Sequence, residues 1–346
     1  MAQRPENTGK IGLHAVAERA GVGVATVDRV LNERGNVSGK TTLRVLEAAR
    51  ALGIRRILPE THRRLLRIEV ILARPDLPLI GRMHQEFNRL AAGIDRSVVI
   101  QRTILADETP RLLSQALRAT TCDAVVIYAQ EHESIHAAID RLHDRGVPVV
   151  TMISDLPQSA RLAYAGTDHY RAGRTAGYFL SRTVHRPGPL LVLCNHLGFQ
   201  SHAQRLRGLT SYLVERCPHL AVTEVLEGGD RLDLSEIRLI DAFRRHPGTV
   251  AVYNVGAANR AVAAAIRADL LATRPVFIGH ELTVNTREML RDGVMTLTID
   301  QSPERQAQFA VDVLRHAFRL PGLGWMQVPY VSNVPFTLYG PENIAA

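Results

Sequence analysis

Short apolar runs alternate with helical patterns over most of this chain, and this alternation constrains the fold more than any other feature. Ten runs have the length and continuous apolar character of buried strands: 68–73, 97–103, 124–129, 147–153, 162–166, 189–194, 221–227, 249–254, 275–280 and 296–300. Helical patterns lie between them, at 109–120, 131–145, 168–183, 257–271 and 303–318. Such alternation predicts parallel sheets covered by helices on both faces, the doubly wound α/β arrangement. Ten units exceed a single sheet, so we expect two similar subdomains.

The first fifty residues follow a purely helical pattern instead. Apolar residues recur at helical spacing over 13–20 and 24–31, and the segment GVG (21–23) separates the two runs. A third helical pattern follows Ser38, a good N-cap residue, and its apolar side chains would close a three-helix core. Two short helices joined by a tight turn with glycine predict a helix-turn-helix, whose second helix meets base edges in the major groove. Arg29 lies on the outer face of that second helix.

Positive charge is concentrated in the same segment. Residues 1–67 contain 13 Lys and Arg against 6 Asp and Glu, whereas the whole chain has a formal net charge of +8. A basic segment on a nearly neutral body is typical of a module that binds a polyanion, because contact with phosphates releases condensed counterions. The alternative is a solvated basic tail. The helical pattern favours double-stranded DNA as the partner.

The remaining composition excludes several classes of protein. No apolar run reaches about 18 residues, and the N-terminal sequence MAQRPENTGK has no apolar stretch of the secretory type. We therefore expect a cytoplasmic protein without a membrane partner. Three cysteines, Cys122, Cys194 and Cys217, follow no metal-ligand or redox spacing and are expected to be reduced, mostly buried thiols. We assign no catalytic residue, metal site or cofactor.

The stretch LHAVAERAGVGVATVDRVLNERGNVSGKTTLRVLEAARALG (13–53) resembles the DNA-binding headpiece of the LacI/GalR, or lactose-repressor, family of transcription regulators. The resemblance implies a headpiece over 1–53. It implies that the bases are read by Val24, Ala25 and Arg29. It also implies that phosphates are contacted by Thr26, Asn32 and Ser38. Gly23 and Asp28 stand where the family usually has serine. An acid at position 28 would either repel phosphate or read a cytosine amine.

The segment that follows, 54–67, departs from the family pattern. The family usually continues with a hinge helix that enters the minor groove, but GIRRILPETHRRLLR (53–67) is about three residues short of that spacing and has no Ala-x-x-Leu. Arg55 and Arg56 are expected to contact phosphates through charge alone. The alternative is a solvated basic linker.

Residues 68–346 resemble the periplasmic-binding-protein-like effector domain of the same family. This implies two Rossmann-like lobes, an N-lobe of about 68–166 and 301–328 and a C-lobe of about 167–300 and 329–346. Chain crossings are expected near 166–168, 300–303 and 328–334, with ligand bound between the lobes at the carboxyl ends of the strands. The positions that match the family's ligand contacts, or lie near them, are Asp168, Arg205, Arg231, Asn254, His280 and Gln301. Asp168 and Gln301 have helix capping as an alternative role.

The effector implied is a sugar, a polyol or a sugar acid. His280 stands where the family usually has an aspartate, Arg231 lies near a position that is often aromatic, and DLPLI (76–80) offers no aromatic face to a sugar ring. Extra cations and fewer aromatics favour an anionic or polyol effector.

Two alternatives come from other classes of protein. HESIH (132–136) is a literal His-Glu-x-x-His, the zinc-hydrolase signature, in which His132 and His136 would bind metal and Glu133 would act as base. No long helix or evident third ligand accompanies it. The second alternative is a transport-type sugar-binding protein, against which the helix-turn-helix argues.

The sequence therefore predicts a sequence-specific regulator, expected to be a repressor, whose affinity for operator DNA is controlled by a carbohydrate-like effector. One headpiece offers a small interface, so we expect a homodimer on two half-sites, with a tetramer as the alternative.

Overall fold

A computed structural model of the chain describes residues 12–32, 34, 37–52, 65–94, 97–318, 320 and 334–344. The chain divides into two compact units, residues 1–65 and 66–346, which we call the headpiece and the body. No helix among the described residues is long and apolar enough to cross a membrane. The three cysteines are free and buried, as the sequence predicts.

The headpiece contains three short helices, α1 (Leu13–Ala20), α2 (Val24–Leu31) and α3 (Gly39–Ala51). Their inward faces share one small core, made by Val16, Ala17, Ala20, Val27, Val30, Leu31, Val45, Leu46, Ala48 and Ala49. The turn between α1 and α2 depends on Gly21, whose φ of 61° lies in the left-handed region that side chains disfavour. Arg44 of α3 donates to the carbonyl oxygens of Ala20 and Gly21 and so fixes the end of α1. The predicted helix-turn-helix is confirmed.

The body contains eleven strands and nine helices in its described part. The strands are β1 (Leu66–Ala73), β2 (Val98–Leu105), β3 (Ala124–Ile127), β4 (Val149–Met152), β5 (Ala163–Ala165), β6 (Leu190–Cys194), β7 (Val222–Glu227), β8 (Ala251–Asn254), β9 (Val276–His280), β10 (Leu297–Asp300) and β11 (Thr337–Tyr339). The helices are α4 (Pro78–Gly93), α5 (Pro110–Ala119), α6 (Glu133–Asp144), α7 (His169–Thr183), α8 (Gln200–Arg216), α9 (Leu232–Arg245), α10 (Asn259–Arg267), α11 (Val284–Arg291) and α12 (Pro303–Ala317).

The strands form two sheets, one in each lobe. The first has the order β2-β1-β3-β4-β5 and is parallel throughout; the second has the order β11-β10-β9-β8-β6-β7, and only β11 is antiparallel. Alternate residues of a strand enter opposite faces: Ile68 and Val70 join one core and Ile71 joins another. Each sheet is thus buried on both faces. The predicted α/β body with two Rossmann-like lobes is confirmed.

The segments that pass between the sheets lie next to one another. The first leaves β5 and enters α7, which packs on the second sheet; another leaves β10 and enters α12, which packs on α4, β4 and β5. The amide of Val334 donates to the carbonyl of Gly166 over 3.1 Å, and Ser302 donates to the carbonyl of Pro335 over 3.0 Å. Most of the third predicted crossing, expected near 328–334, lies outside the described residues.

Candidate functional site

The outer face of α2 carries the predicted base-reading residues. Ala25 and Arg29 are exposed, and no described residue forms a hydrogen bond or ion pair with the Arg29 guanidinium. Thr26 is half-buried at the start of the helix, and Val24 is half-buried because it packs on the headpiece core. The opposite face of α2 is held by Val27, Val30 and Leu31, so the small exposed residues and the arginine share one accessible side.

The carboxylate of Asp28 is paired with two side chains of the headpiece. Asn32 Nδ2 donates to its Oδ1 over 2.7 Å, and Arg34 donates to its Oδ2 over 2.9 Å. Asn32, a predicted phosphate contact, is therefore also engaged at the end of α2. Ser38, also a predicted phosphate contact, precedes α3 as its N-cap residue. Its hydroxyl accepts from the amide of Thr41 over 3.3 Å. Arg55 and Arg56 lie outside the described residues.

A cleft lies between the two sheets of the body, where the carboxyl ends of their parallel strands meet. Its outer chamber has a volume of about 310 Å³ and its inner chamber about 30 Å³. The inner chamber is lined by residues that follow eight different strands: Leu77, Leu79, Ile80, Tyr128, Ile153, Ser201, His202, Arg205, Asp230, Gly256, Ala257, Glu281 and Gln301. A chamber at the crevice between two open sheets is where doubly wound folds bind ligands.

Arg205 is the buried cation of the inner chamber, with 3% of its surface exposed. Its Nε donates to His169 Nδ1 over 3.2 Å, and its Nη1 donates to the carbonyl of Val255 over 2.6 Å. His169 Nε2 in turn lies 2.6 Å from the carbonyl of Ile153, so one chain of hydrogen bonds joins both lobes to Arg205. Arg205 Nη2 is buried without a hydrogen-bond partner in the described structure. A buried, unsatisfied donor is costly, and a ligand acceptor would relieve it.

Three buried histidines surround Arg205, and they are uncharged. Burial, reinforced by the charge of Arg205, lowers the pKa of His202 to about 3 and holds the pKa values of His169 and His280 well below 6.5. His280 Nε2 lies 2.8 Å from the hydroxyl of Tyr253 at the floor of the second sheet. His280 is therefore not the extra cation that the sequence suggested.

Two buried carboxylates, Asp230 and Glu281, line both chambers of the cleft. Burial raises the pKa of Asp230, and burial together with the nearby charge of Asp300 raises the pKa of Glu281 to about 7. Gln301 donates to Glu281 Oε1 over 2.6 Å, which places this predicted residue in the cleft.

Two arginines of the first lobe reach across the cleft to the second. Arg74 Nη1 donates to the carbonyl of Gly229 over 3.2 Å and lies 3.6 Å from Glu108 Oε1. Arg82 pairs with Asp300 and lies 3.5 Å from Glu281 Oε2. These contacts couple the spacing of the lobes to the acids at the cleft.

Three predicted effector residues lie away from the lining of the two chambers. Asp168 is the N-cap of α7 and accepts from the amide of Arg171 over 2.9 Å. Arg231 is largely exposed and pairs with Asp233 over 2.8 Å, while its neighbour Asp230 faces the cleft. Asn254 is buried behind Gly256 and bonds to Asn259 over 2.7 Å. Of the predicted set, Arg205 and Gln301 line the inner chamber, and His280 lies beneath it.

The His-Glu-x-x-His segment begins helix α6. His132 is the N-cap residue and accepts from the amide of Ser134 over 3.1 Å, whereas His136 faces Glu131. Among the described residues, no group of three or more His, Cys, Asp and Glu is placed to hold a metal ion.

Comparison with known proteins identifies both parts of the chain. The family model described as a periplasmic binding protein domain matches residues 78–319, about the extent of the two-sheet body. The chain belongs to the periplasmic binding protein domain family. The model of the bacterial regulatory proteins of the lacI family matches residues 12–55, so a lacI-type DNA-binding headpiece precedes the periplasmic-binding-protein body.

Individual relatives agree with this architecture. A sucrose operon repressor from Pediococcus pentosaceus is 25% identical over 219 residues, which cover 60% of this chain and 63% of that relative. The similarity thus spans less than two thirds of the curated relative. A solute-binding protein from Burkholderia graminis, solved in complex with D-arabinose, has a TM-score of 0.73 at 20% identity and covers 82% of this chain and 98% of its own. A glucose-galactose binding protein from Geobacillus stearothermophilus has a TM-score of 0.71 at 20% identity, with coverages of 81% and 99%.

Several cleft residues of this periplasmic-binding-protein body escaped the sequence analysis. Asp230, His202 and Tyr128 line the inner chamber, and Arg82 supports it from α4. Their signal in the sequence is position, because Tyr128 and Asp230 each follow a strand closely, where side chains of neighbouring strands converge. Arg82 carries no such signal, since only the packing of α4 brings it to Asp300.

Proposed function

We propose that the chain is a transcription regulator, acting as a repressor, whose affinity for operator DNA is set by a small hydroxylated effector bound in the cleft of the body. The observation that carries this proposal is the coexistence, on one chain, of the exposed Arg29 face and a cleft that contains the buried Arg205. A protein that only binds a solute has no use for the first, and a constitutive DNA-binding protein has no use for the second.

The proposed DNA contact uses the exposed side of α2. Ala25 is small enough to let the helix approach base edges, and Arg29 donates to guanine or phosphate from the same face. Val24, Thr26, Asn32 and Ser38 remain proposed contacts at the rim of this face. The protein acts in the cytoplasm as a homodimer, because two headpieces are needed to read two half-sites with useful affinity.

In the body, a ligand acceptor would satisfy Arg205 Nη2, and Gln301 would bind a hydroxyl group beside it. A ligand in the outer chamber, with one group extending into the inner chamber towards Arg205, contacts both lobes. It therefore binds best to one spacing of the lobes and shifts the population that is competent to bind DNA.

The test begins with selection of binding sites from a randomised duplex library by the full-length protein. We expect enrichment of a two-fold symmetric site, and a loss of affinity of roughly tenfold or more for Arg29→Ala in mobility-shift assays. Arg118→Ala removes an exposed arginine of α5 and is the matched control, expected to bind normally. Absence of any enriched sequence contradicts the proposal.

The effector arm uses the same selected site. A panel of sugars, amino sugars, polyols and sugar acids is added to the protein–DNA complex, and one class is expected to change its affinity. Arg205→Met should bind the site but lose this response, because the apolar chain keeps volume and removes the donors. A response that survives this substitution unchanged would show that the effector binds elsewhere.

A further inference from the structure

Asp230 and Glu281 are the two acids that both chambers of the cleft share. They follow β7 and β9, they are 6% and 4% exposed, and each lines the inner and the outer chamber. The close fit of Asp230 depends on Gly256, because a Cβ at position 256 would lie 2.5 Å from Asp230 Oδ1. The carboxylate of Asp230 accepts from the amide of Ala257 over 2.8 Å. Both acids are therefore held in place at the cleft.

The cleft and its supporting ion pairs contain more carboxylates than cations. Its buried and half-buried acids are Glu108, Asp230, Glu281 and Asp300, and its buried and half-buried guanidinium groups are those of Arg74, Arg82 and Arg205. Arg74 forms ion pairs with both Asp76 and Glu108. Arg82 forms ion pairs with three acids, Glu281, Asp300 and Glu304. With the buried and half-buried acids ionised, the cleft has one more negative than positive group before any ligand enters, and a ligand ammonium would favour the ionised form of Glu281.

The excess of negative charge is not compensated by the buried histidines or by the nearby Arg231. His169, His202 and His280 are neutral, and Arg231 pairs with Asp233 in solvent. The raised pKa values of Glu108, Asp230 and Glu281, due first to burial, agree with incomplete compensation of these anions.

Arg205 adds an independent requirement. Its Nη2 is buried without a partner and needs an acceptor, which a sugar hydroxyl or a carboxylate could supply. A ligand carboxylate would satisfy Arg205 but would bring a further negative charge beside Asp230 and Glu281. A hydroxyl satisfies Arg205 without that repulsion.

From this charge balance, and resting on the proposed effector role of the cleft, we propose that the ligand is a hydroxyl-rich cation, such as an amino sugar or an aminopolyol. Its ammonium group binds Asp230 and Glu281, and its hydroxyl groups accept from Arg205 and bond to Gln301. Replacement of the ammonium by hydroxyl or carboxylate removes this charge-assisted pairing.

Matched hexose series test the proposal by calorimetric titration of the full-length protein at pH 7. The series are D-glucosamine, D-glucose and D-glucuronate, and the corresponding galacto and manno compounds. In at least one series, we expect the hexosamine to bind roughly tenfold to a hundredfold tighter than the neutral hexose and the hexuronate to bind weakest. Tighter binding of a neutral hexose or a hexuronate overturns the proposal, as does the absence of binding by every hexosamine.

Variants assign the preference to its residues. Glu281→Gln keeps an acceptor for Gln301 and should reduce the ratio of hexosamine to hexose affinity to near one. Asp233→Asn removes an exposed acid three residues after Asp230 and is the matched control, expected to keep the ratio. An unchanged ratio in Glu281→Gln, with normal thermal unfolding, contradicts the assignment.

The outcome is separable from that of the regulator proposal. Tight hexosamine binding without any effect on DNA affinity would overturn the regulator proposal and leave the ligand class intact. DNA release by a neutral hexose, with no hexosamine bound, would overturn the proposed ligand class and leave the regulator proposal intact.

Discussion

The guanidinium of Arg205 is held in one orientation because neighbouring groups accept hydrogen bonds from two of its three nitrogens. Two of its nitrogens are engaged by His169 and Val255, and the guanidinium is held beside neutral histidines where water cannot screen it. The remaining donor is thereby pre-organised for a ligand, since little side-chain entropy is left to lose on binding. Glu281 is the acidic counterpart, with Gln301, Asp300, Arg82 and Arg205 around it.

Glu281 makes stability depend on pH in a defined window. The folded pKa of about 7 exceeds the ordinary value of 4.5, so the folded protein retains a proton that the unfolded chain releases as pH rises above 4.5. The free energy of unfolding should therefore fall between pH 4.5 and 7, by about 3 kcal/mol for this group, and then level off.

Urea unfolding of Glu281→Gln across this range measures the effect. The difference in unfolding free energy between variant and wild type should grow in favour of the variant up to about pH 7. Glu288→Gln, an exposed glutamate of α11, is the control and should run parallel to wild type. Parallel curves for Glu281→Gln would mean that the carboxyl is not held protonated.

At the scale of elements, α7 and α8 place Arg205 through unusually close backbone contact. A Cβ at Gly173 would lie 2.0 Å from the carbonyl oxygen of Arg205, and a Cβ at Gly208 would lie 2.0 Å from that of Tyr170. The helix that carries Arg205 is thus pressed against the helix that carries His169, which makes their hydrogen bond possible. The two glycines at this helix crossing thus allow close packing and also set the position of Arg205 in the cleft.

Gly208→Ala should push these helices apart. We expect a loss of about 1–3 kcal/mol in the free energy of unfolding, because the neighbouring atom is backbone and cannot move alone. Gly81→Ala in α4 is the matched control: nothing lies within 4 Å of its added Cβ, and it should gain about 0.5–1 kcal/mol from helix propensity. Denaturant titrations of both variants provide the comparison, and equal stability of the two would contradict the close crossing.

At the scale of the whole molecule, the cleft joins the two lobes through polar groups that folding has removed from water. Arg74 and Arg82 cross from the first lobe to the second, and His169 links Ile153 to Arg205. Buried polar networks of this kind stabilise one arrangement of the lobes only while every member keeps its protonation state. The three neutral histidines are therefore an acid-sensitive element of the body.

Acid should destabilise the body through these histidines. Their folded pKa values lie below the ordinary 6.5, so the unfolded chain takes up protons first as pH falls below 6.5, and stability is lost. Each histidine contributes about 1.4 kcal/mol of loss per pH unit below 6.5 until its own folded pKa is reached.

Thermal unfolding of His202→Asn between pH 7 and 5 tests this expectation, and the variant should lose less stability than wild type. His143→Asn, which replaces an exposed histidine of α6, should follow the wild-type curve. A variant that is as acid-sensitive as wild type would exclude His202 from the effect.

The amino-acid sequence alone determined the two architectures and their order, since both are written in local periodicity. All ten predicted strands of the body occur, and the glycine turn and apolar spacing of the headpiece sufficed for its three helices. Helices α4, α8, α9 and α11 were not singled out, and Arg205 was found through its resemblance to a family position. Only the tertiary structure decided which charges face the cleft: it placed Asp230 there and Arg231 in solvent, and it left His280 neutral. Neighbouring residues at a strand end look equivalent in sequence, whereas burial and the partners brought by distant elements determine which one faces a ligand and in which charge state.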